Sequence, residues 1–369
     1  MATQNGLPEL EIIFKALGAS AVKRGDRGTA VLIVVDDTSN GAGVVMDKII
    51  SIADLTTKMQ DHYTESSIRY IKDALLGTPR ELLVFKMATE GVLADTLKLV
   101  SGRIPRNCWV AIASQNKDHQ NDLVSWGASQ EKNNFKKYKI LSYKAIVTDN
   151  QHIINLTNEK VVFSDSRGEQ NGIEAVSYLM GYLAGLPLTM SAIAKDLTLF
   201  SSVSEIDDLN EAISNGEFIL FNDEGKVKVA RGVNSLKTLG EGISNDMSFI
   251  NTIEKMDLIF CDIYSTWNKY YKGRYSNDLD NQMIFISAVN GYFKLVAIDK
   301  ILDPKFDNRA VIDITAQRIA NYSKFGEEVV KEWTDTKAME MTVGTKIFLT
   351  TLIKIPGIME SILFPIFTV

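Results

Sequence analysis

Three histidines, His62, His119 and His152, are the residues of this chain best suited to acid–base or metal chemistry, and no two lie at a spacing that either chemistry uses. A protein zinc site takes His, Cys or carboxylate ligands, usually as pairs a few residues apart on one element. Asp118, His119 and Asp122 fall together where a helix should begin, and capping and solvated charge account for them. Cys108 and Cys261 sit in the apolar contexts Asn-Cys-Trp-Val and Ile-Phe-Cys-Asp, which reads as two buried, reduced thiols. The sequence has no Gly-x-Ser-x-Gly elbow, no His-Glu-x-x-His and no Gly-x-x-x-x-Gly-Lys-Ser/Thr loop. No catalytic residue, metal ligand or cofactor is therefore expected.

The nearest approach to a phosphate site is the apolar run Val31-Leu-Ile-Val-Val35 followed by Gly41-Ala-Gly43. Asp36 and Asp37 stand where a phosphate would be repelled. The glycines come late, and no third glycine follows at dinucleotide-binding spacing. Gly344-Thr345-Lys346 is a fragment of a phosphate loop with nothing before it, and reads as the approach to a strand.

Composition narrows the function class. The chain has 369 residues, 45% hydrophobic and 23% charged, enough to bury a sizeable core. Its net charge of −6 argues against nucleic acid as a partner, because phosphate binding needs clustered Lys and Arg. The densest basic stretch, 132–139, reads as a solvated face. No apolar run reaches ~18 residues, so no membrane insertion is expected. The opening Met-Ala-Thr-Gln-Asn-Gly has neither a charged nor an apolar signal region, and so the sequons at Asn155 and Asn321 are expected to be unused.

The elements alternate. Strands are expected at 29–35, 80–87, 108–113 and 139–148, with helices at 44–59, 64–76, 92–101 and 118–130 between them. That alternation predicts an α/β (α+β) chain with a mostly parallel sheet. An apolar helix follows at 172–184, a short one at 205–214, and a hairpin (217–221 with 226–230) around Asn222-Asp-Glu-Gly225. From 246 to about 302 the pattern is two long helices broken near 273–277. Phe260, Tyr264, Trp267 and Tyr271 recur at helical spacing on the first, as a core or interface stripe. A helix at 312–324 and a strand at 346–355 complete the series.

Both termini look like strands seeking a sheet. Leu10, Ile12 and Phe14 alternate with charged residues, and residues 362–369 read Ile-Leu-Phe-Pro-Ile-Phe-Thr-Val. Ile362, Phe364, Ile366 and Phe367 carry the apolar character of this uncharged segment. Pro365 removes one backbone donor, which suits an edge or added strand. An unpaired apolar strand is a template for pairing with another chain. The pattern therefore points to assembly.

Further motifs stand in order at both ends. Gly6-Leu-Pro-Glu-Leu-Glu-Ile-Ile-Phe-Lys15 leads to Ala21-Val-Lys-Arg-Gly-Asp-Arg-Gly28 and the strand into Asp36-Asp37. Near the other end come Phe249-Ile-Asn-Thr-Ile253, then Ile312-Asp-Ile-Thr-Ala-Gln-Arg318 and Gly344-Thr-Lys-Ile-Phe348. In this order and placement the chain resembles contractile tail sheath proteins of short myophages and phage-tail-like bacteriocins of the diffocin type. The match covers roughly 1–90 and 240–369.

The resemblance implies a core built from both chain ends, a middle insert domain that is subtilisin-like in the family but lacks protease function, and extended terminal β-arms. The implied boundaries are an N-terminal arm at 1–20, a first core part at 21–92, the insert at 93–240, a C-terminal core domain at 241–355 and a C-terminal strand arm at 356–369. It also implies a homo-oligomer of stacked hexameric rings around a tail tube protein, with baseplate and terminator proteins as further partners. Such a sheath, made in the bacterial cytoplasm and carried on a virion tail or phage-tail-like particle, contracts to drive the tube through an envelope. Leu10, Ile12, Phe14, Ile362, Phe364, Ile366 and Phe367 are then the inter-subunit arm residues. Two other readings stay open: a nucleotide-binding or hydrolase-like α/β enzyme, and a different tail component such as a baseplate or terminator protein.

Overall fold

A computed structural model describes residues 22, 24–38, 46–56, 60–146 and 149–365. The chain divides into two compact units, one comprising 26–258 and 357–369, the other 1–25 and 259–356.

In the larger unit, the apolar run 31–35 becomes β1 (Thr29–Val35), an interior strand of a seven-stranded sheet. Around it lie β2 (Asp47–Ile49), β3 (Glu81–Met87), β4 (Asn107–Ala113), β5 (Lys137–Tyr143), β6 (Ile153–Leu156) and β10 (Glu217–Phe218), in the order β10-β6-β5-β4-β1-β3-β2. Every pair is parallel except β2 with β3. Strands buried on both faces read as continuous apolar runs, which is why β1 and β3 scarcely alternate. The α/β class and the mostly parallel sheet are thus as the sequence predicts.

Helices cover both faces. Ala30, Leu32 and Val34 of β1 pack with Ile71 and Ala74 of α1 (Glu65–Leu76), and with Val176, Leu179 and Leu183 of a later helix, Val176–Gly185. Val31 and Ile33 face the other way, toward Leu93 and Leu97 of α2 (Leu93–Ser101) and Leu123 of α3 (Lys117–Asn134). Each such side chain, fully buried, contributes roughly 1.5–3 kcal/mol. The helix Val176–Gly185, here α4, meets α1 backbone to backbone. A Cβ on Gly181 would lie 1.9 Å from the Ala74 carbonyl oxygen, and one on Gly77 would lie 2.2 Å from the Tyr182 nitrogen. Neither helix can yield to backbone atoms, so Gly181→Ala should destabilise the unit by about 3 kcal/mol or more, read as a lowered urea midpoint.

A three-stranded sheet, β8-β7-β9, is formed by β7 (Lys160–Phe163), β8 (Glu169–Asn171) and β9 (Phe200–Val203). After the short α5 (Leu209–Ser214) comes the expected hairpin of β11 (Leu220–Asp223) and β12 (Lys226–Val229). Its turn places Glu224 at φ 48° and Gly225 at φ 77°, the two positive angles of a type I′ turn.

Some expectations differ from what is observed. The helix expected at 44–59 is replaced, among its described residues, by β2 and a 3-10 turn at Ile52–Asp54. Pairing of Asp47–Ile49 with β3 buries Ile49 and overrides the near-helical spacing of Val45, Ile49 and Ile52. The boundary expected at 92–93 also falls inside one sheet, since β1 bonds both β3 and β4.

The division between units lies within α6 (Ile250–Thr266). In the smaller unit the helix continues as a π-turn at Trp267–Tyr271, where the Lys272 N–H reaches back to the Trp267 carbonyl at 2.9 Å. The break and the second long helix, α7 (Leu279–Ile298), fall where the sequence puts them. Next come β13 (Arg309–Ile312), α8 (Ile314–Phe325), α9 (Glu327–Lys331), α10 (Asp335–Glu340) and β14 (Leu349–Leu352). The helix expected at 312–324 begins instead at Ile314, because Ile312 is the last residue of β13, which pairs antiparallel with β14.

Candidate functional site

The residues singled out for chemistry make the following contacts where they are described. The Asp36 carboxylate, 4% exposed, accepts hydrogen bonds from the Thr38 and Thr64 backbone N–H groups and the Thr64 hydroxyl, fastening the start of α1. Gly41-Ala-Gly43 lies outside the described residues. At 344–346 the chain turns its carbonyls inward, and those of Gly344 and Lys346 accept from Asn277 Nδ2 at 2.9 Å each. A phosphate cradle would need N–H groups there. His119 Nδ1 lies 2.8 Å from Ser114 Oγ, a local contact ahead of α3, whose first turn Asn116 caps. His62 and Tyr63 share the Asp47 carboxylate. Cys108 and Cys261 are both buried, as expected. Among the described residues no group of three or more His, Cys, Asp or Glu side chains is placed to hold a metal ion, and no helix is long and apolar enough to cross a membrane.

What stands out is surface built for contact. Residues 357–365 belong to the larger unit and have no regular secondary structure. Ile362 is 88% exposed, Leu363 94% and Phe364 72%. Of the proposed arm residues, Ile362 and Phe364 thus stand in solvent in the single chain. Leu10, Ile12, Phe14, Ile366 and Phe367 lie outside the described residues.

Among the described residues, the smaller unit has a two-stranded sheet, β13 with β14, whose β14 side has no neighbouring strand. Ala310 of β13 gives its N–H to Asn290 Oδ1 at 2.7 Å, and its carbonyl takes a hydrogen from Asn290 Nδ2 at 3.1 Å. That amide imitates a neighbouring strand and closes the outer edge of β13. Ala310 faces Thr351 across the ladder. In an antiparallel pair such a residue and its partner both turn their polar groups outward. Thr351 therefore points its N–H and C=O to the free side of β14. Beside β14, Phe260, Ile263, Tyr264, Trp267, Phe285, Ile347 and Leu349 line an open apolar cleft of about 400 Å³. Three residues of the aromatic stripe read from helical spacing, Phe260, Tyr264 and Trp267, form part of the wall of this cleft, with Phe260 stacked on Tyr264 at 5.8 Å.

The larger unit grips the first half of α6 through charge. Glu254 and Asp257, 6% and 3% exposed, face a buried Lys139 whose Nζ lies 3.1 Å from Glu254 Oε1 and 3.4 Å from Asp257 Oδ2. Trp109 Nε1 donates to Glu254 Oε1 at 2.7 Å, and Arg27 Nη2 lies 3.2 Å from Glu254 Oε2. His152 bridges Asp257 Oδ1 and Glu131 Oε2, each at 2.9 Å. Burial drives the imidazole pKa down, but the two carboxylates outweigh it and hold it up at about 9. Lys139, Arg27 and His152 in turn keep Glu254 and Asp257 below the usual carboxylate range despite their burial. A raised folded pKa stabilises fully below the unfolded value of 6.5 and is lost as pH rises through the folded one. The melting temperature should therefore fall as pH rises through about 9, and His152→Gln should flatten that limb.

Sequence reading missed this cluster because its two sides, Lys139 and His152 on one and Glu254 and Asp257 on the other, lie more than a hundred residues apart. The signal was Glu254 and Asp257 at i and i+3 on the face that Ile250, Ile253 and Leu258 bury. The edge of β14 was missed because its partner, 309–312, was not expected as a strand and its last residue was read as a helix start.

The larger unit is a helix-covered, mostly parallel sheet and the smaller unit is largely helical. Solved structures with this fold include sheath proteins. The contracted helical sheath of the anti-feeding prophage superposes with a TM-score of 0.68 at 12% identity, covering 94% of this chain and 95% of that one. The sheath tail protein of Desulfitobacterium hafniense gives 0.66 at 14%, covering 79% and 91%. Residues 244–341 match the family model "Phage tail sheath C-terminal domain". The curated tail sheath protein of Clostridium phage phiCD119 is 24% identical over 97% of this chain and 98% of its own length. The resemblance to contractile tail sheath proteins seen at the two chain ends thus extends over the full sequence.

Proposed function

We propose that this chain is the structural subunit of a contractile tail sheath, which polymerises around a tail tube and shortens to drive the tube through an envelope. The observation that carries the reading is the exposed apolar segment 362–364 in a chain similar to sheath proteins from end to end. Leu10, Ile12, Phe14, Ile362, Phe364, Ile366 and Phe367 are its inter-subunit arm residues, with the arms at 1–20 and 356–369. The free edge of β14 accepts an arm from another copy. Main-chain hydrogen bonds supply affinity, and alternate apolar side chains enter the aromatic cleft. A strand exchanged in this way keeps neighbours tied while rigid cores rotate.

The further partners are the tail tube, baseplate and terminator proteins, the rings are hexameric, and the subunit has no catalytic role. Its site is a virion tail or phage-tail-like particle assembled in the bacterial cytoplasm. Electron microscopy of the purified full-length protein over a concentration series tests this. Hollow tubes or stacked rings are expected. A monodisperse monomer whose melting temperature rises with a nucleotide would instead support an α/β enzyme.

A further inference from the structure

The exposed segment is fastened at one point. Glu360 is the one charged residue of 357–365, and it lies between Met359 at 98% exposure and Ile362 at 88%. Its own side chain is only 10% exposed. Ser191 Oγ donates to Oε1, and Arg231 Nε lies 3.5 Å from Oε2. Arg231 is itself held over the Phe249 ring, 5.2 Å from its centroid. Residues 357–361 form one wall of a recess whose other lining includes Arg231, Phe249, Asn251 and Thr252. Ser191 is backed by Gly232, where an added Cβ would stand 3.1 Å from Ser191 Oγ. An almost buried charge is costly unless it is paired, so the recess defines where a carboxylate at this one position must go.

We propose that Glu360 is a clasp that sets the length of the tether between subunits; the proposal rests on the sheath reading. With Glu360 seated, the arm leaves its own subunit at Ser361. With Glu360 released, the four residues 357–360 join the arm and add about 13 Å of reach, at ~3.3 Å per extended residue. A neighbour that rotates away during contraction can then stay joined without breaking its strand pairing. The carboxylate pair is suited to this, since a few polar contacts at the rim of a recess open more readily than a packed apolar core. Glu360 is a positioning residue, acting on the arm through Ser191 and Arg231.

The test uses full-length protein carrying Ser361→Cys labelled with a fluorophore; the two native cysteines are buried, so labelling is selective. In the monomer, label anisotropy should show a restricted component that Glu360→Ala abolishes. Glu360→Gln, which keeps an acceptor for Ser191 but loses the charge, should lose part of it. The swapped pair Arg231→Glu with Glu360→Arg should recover more order than either single change. Anisotropy unchanged in Glu360→Ala, or no recovery in the swapped pair, would overturn the clasp. Tube formation is scored separately. Absence of tubes even without the Glu360 changes would count against the sheath reading, while the monomer anisotropy would still decide the clasp.

Discussion

Deleting residues 362–369 should leave a folded, soluble monomer that no longer forms tubes. Ile362, Leu363 and Phe364 are solvated in the single chain, so their loss takes no apolar surface from its own core. The last element before them, β14, is paired with β13 and closed at its base, where the Lys354 N–H donates to Asn308 Oδ1 at 2.9 Å. The melting temperature should therefore stay within a degree or two of the full chain, as for other surface changes. Assembly should fall below detection, because each subunit contact loses its exchanged strand and the loss repeats at every copy. Aggregated or unfolded protein would show that the segment belongs to the chain's own core.

Lys139→Met should cost about 3–5 kcal/mol of stability, the range for breaking one side of a buried ion pair. The Lys139 side chain is 2% exposed between Glu254 at 7% and Asp257 at 4%. Methionine fills similar volume but leaves two buried carboxylates with only Arg27 and His152 opposite. Adding Glu254→Gln and Asp257→Asn to Lys139→Met should return part of the loss, because those amides carry no charge to desolvate. A shift in urea midpoint with unchanged slope is the measurement. Lys98→Met is the control, since Lys98 pairs with Asp95 in solvent at 79% and 72% exposure and should leave the midpoint unchanged. A midpoint shift no larger than that control's would mean the network is not what holds α6 on the sheet.

Much of the fold was legible because periodicity and punctuation agreed. Thr64 before Glu65–Leu76 and Gly77 after it mark α1 at both ends, and Val31-Leu-Ile-Val-Val35 has the continuous apolar character of a strand buried on two faces. The turn Asn222-Asp-Glu-Gly225 carried its own chemistry. Other elements depended on partners distant in sequence. β2 exists through β3, and β13 through β14, thirty-seven residues from its end to the start of its partner. Nothing local in Arg309–Ile312 distinguishes a strand from the first turn of the helix that follows. For the site, the apolar and uncharged character of 362–364 was visible directly. The acceptor edge was not, because its openness arises from Asn290 closing the opposite side of the same two-stranded sheet. The ionic cluster around α6 likewise needs the tertiary fold, since His152 and Asp257 are brought together only by the fold.

The central claim, that the C-terminal arm of one copy pairs on β14 of another, is tested most directly by a disulfide. Full-length protein carrying Phe364→Cys and Thr351→Cys would be assembled, oxidised and run on a denaturing, non-reducing gel. A ladder of covalent multimers that collapses on reduction, and is absent from each single variant, is the result the account predicts. A band at monomer size only, with both thiols consumed in a single chain, would show that the arm folds back on its own subunit and would contradict it.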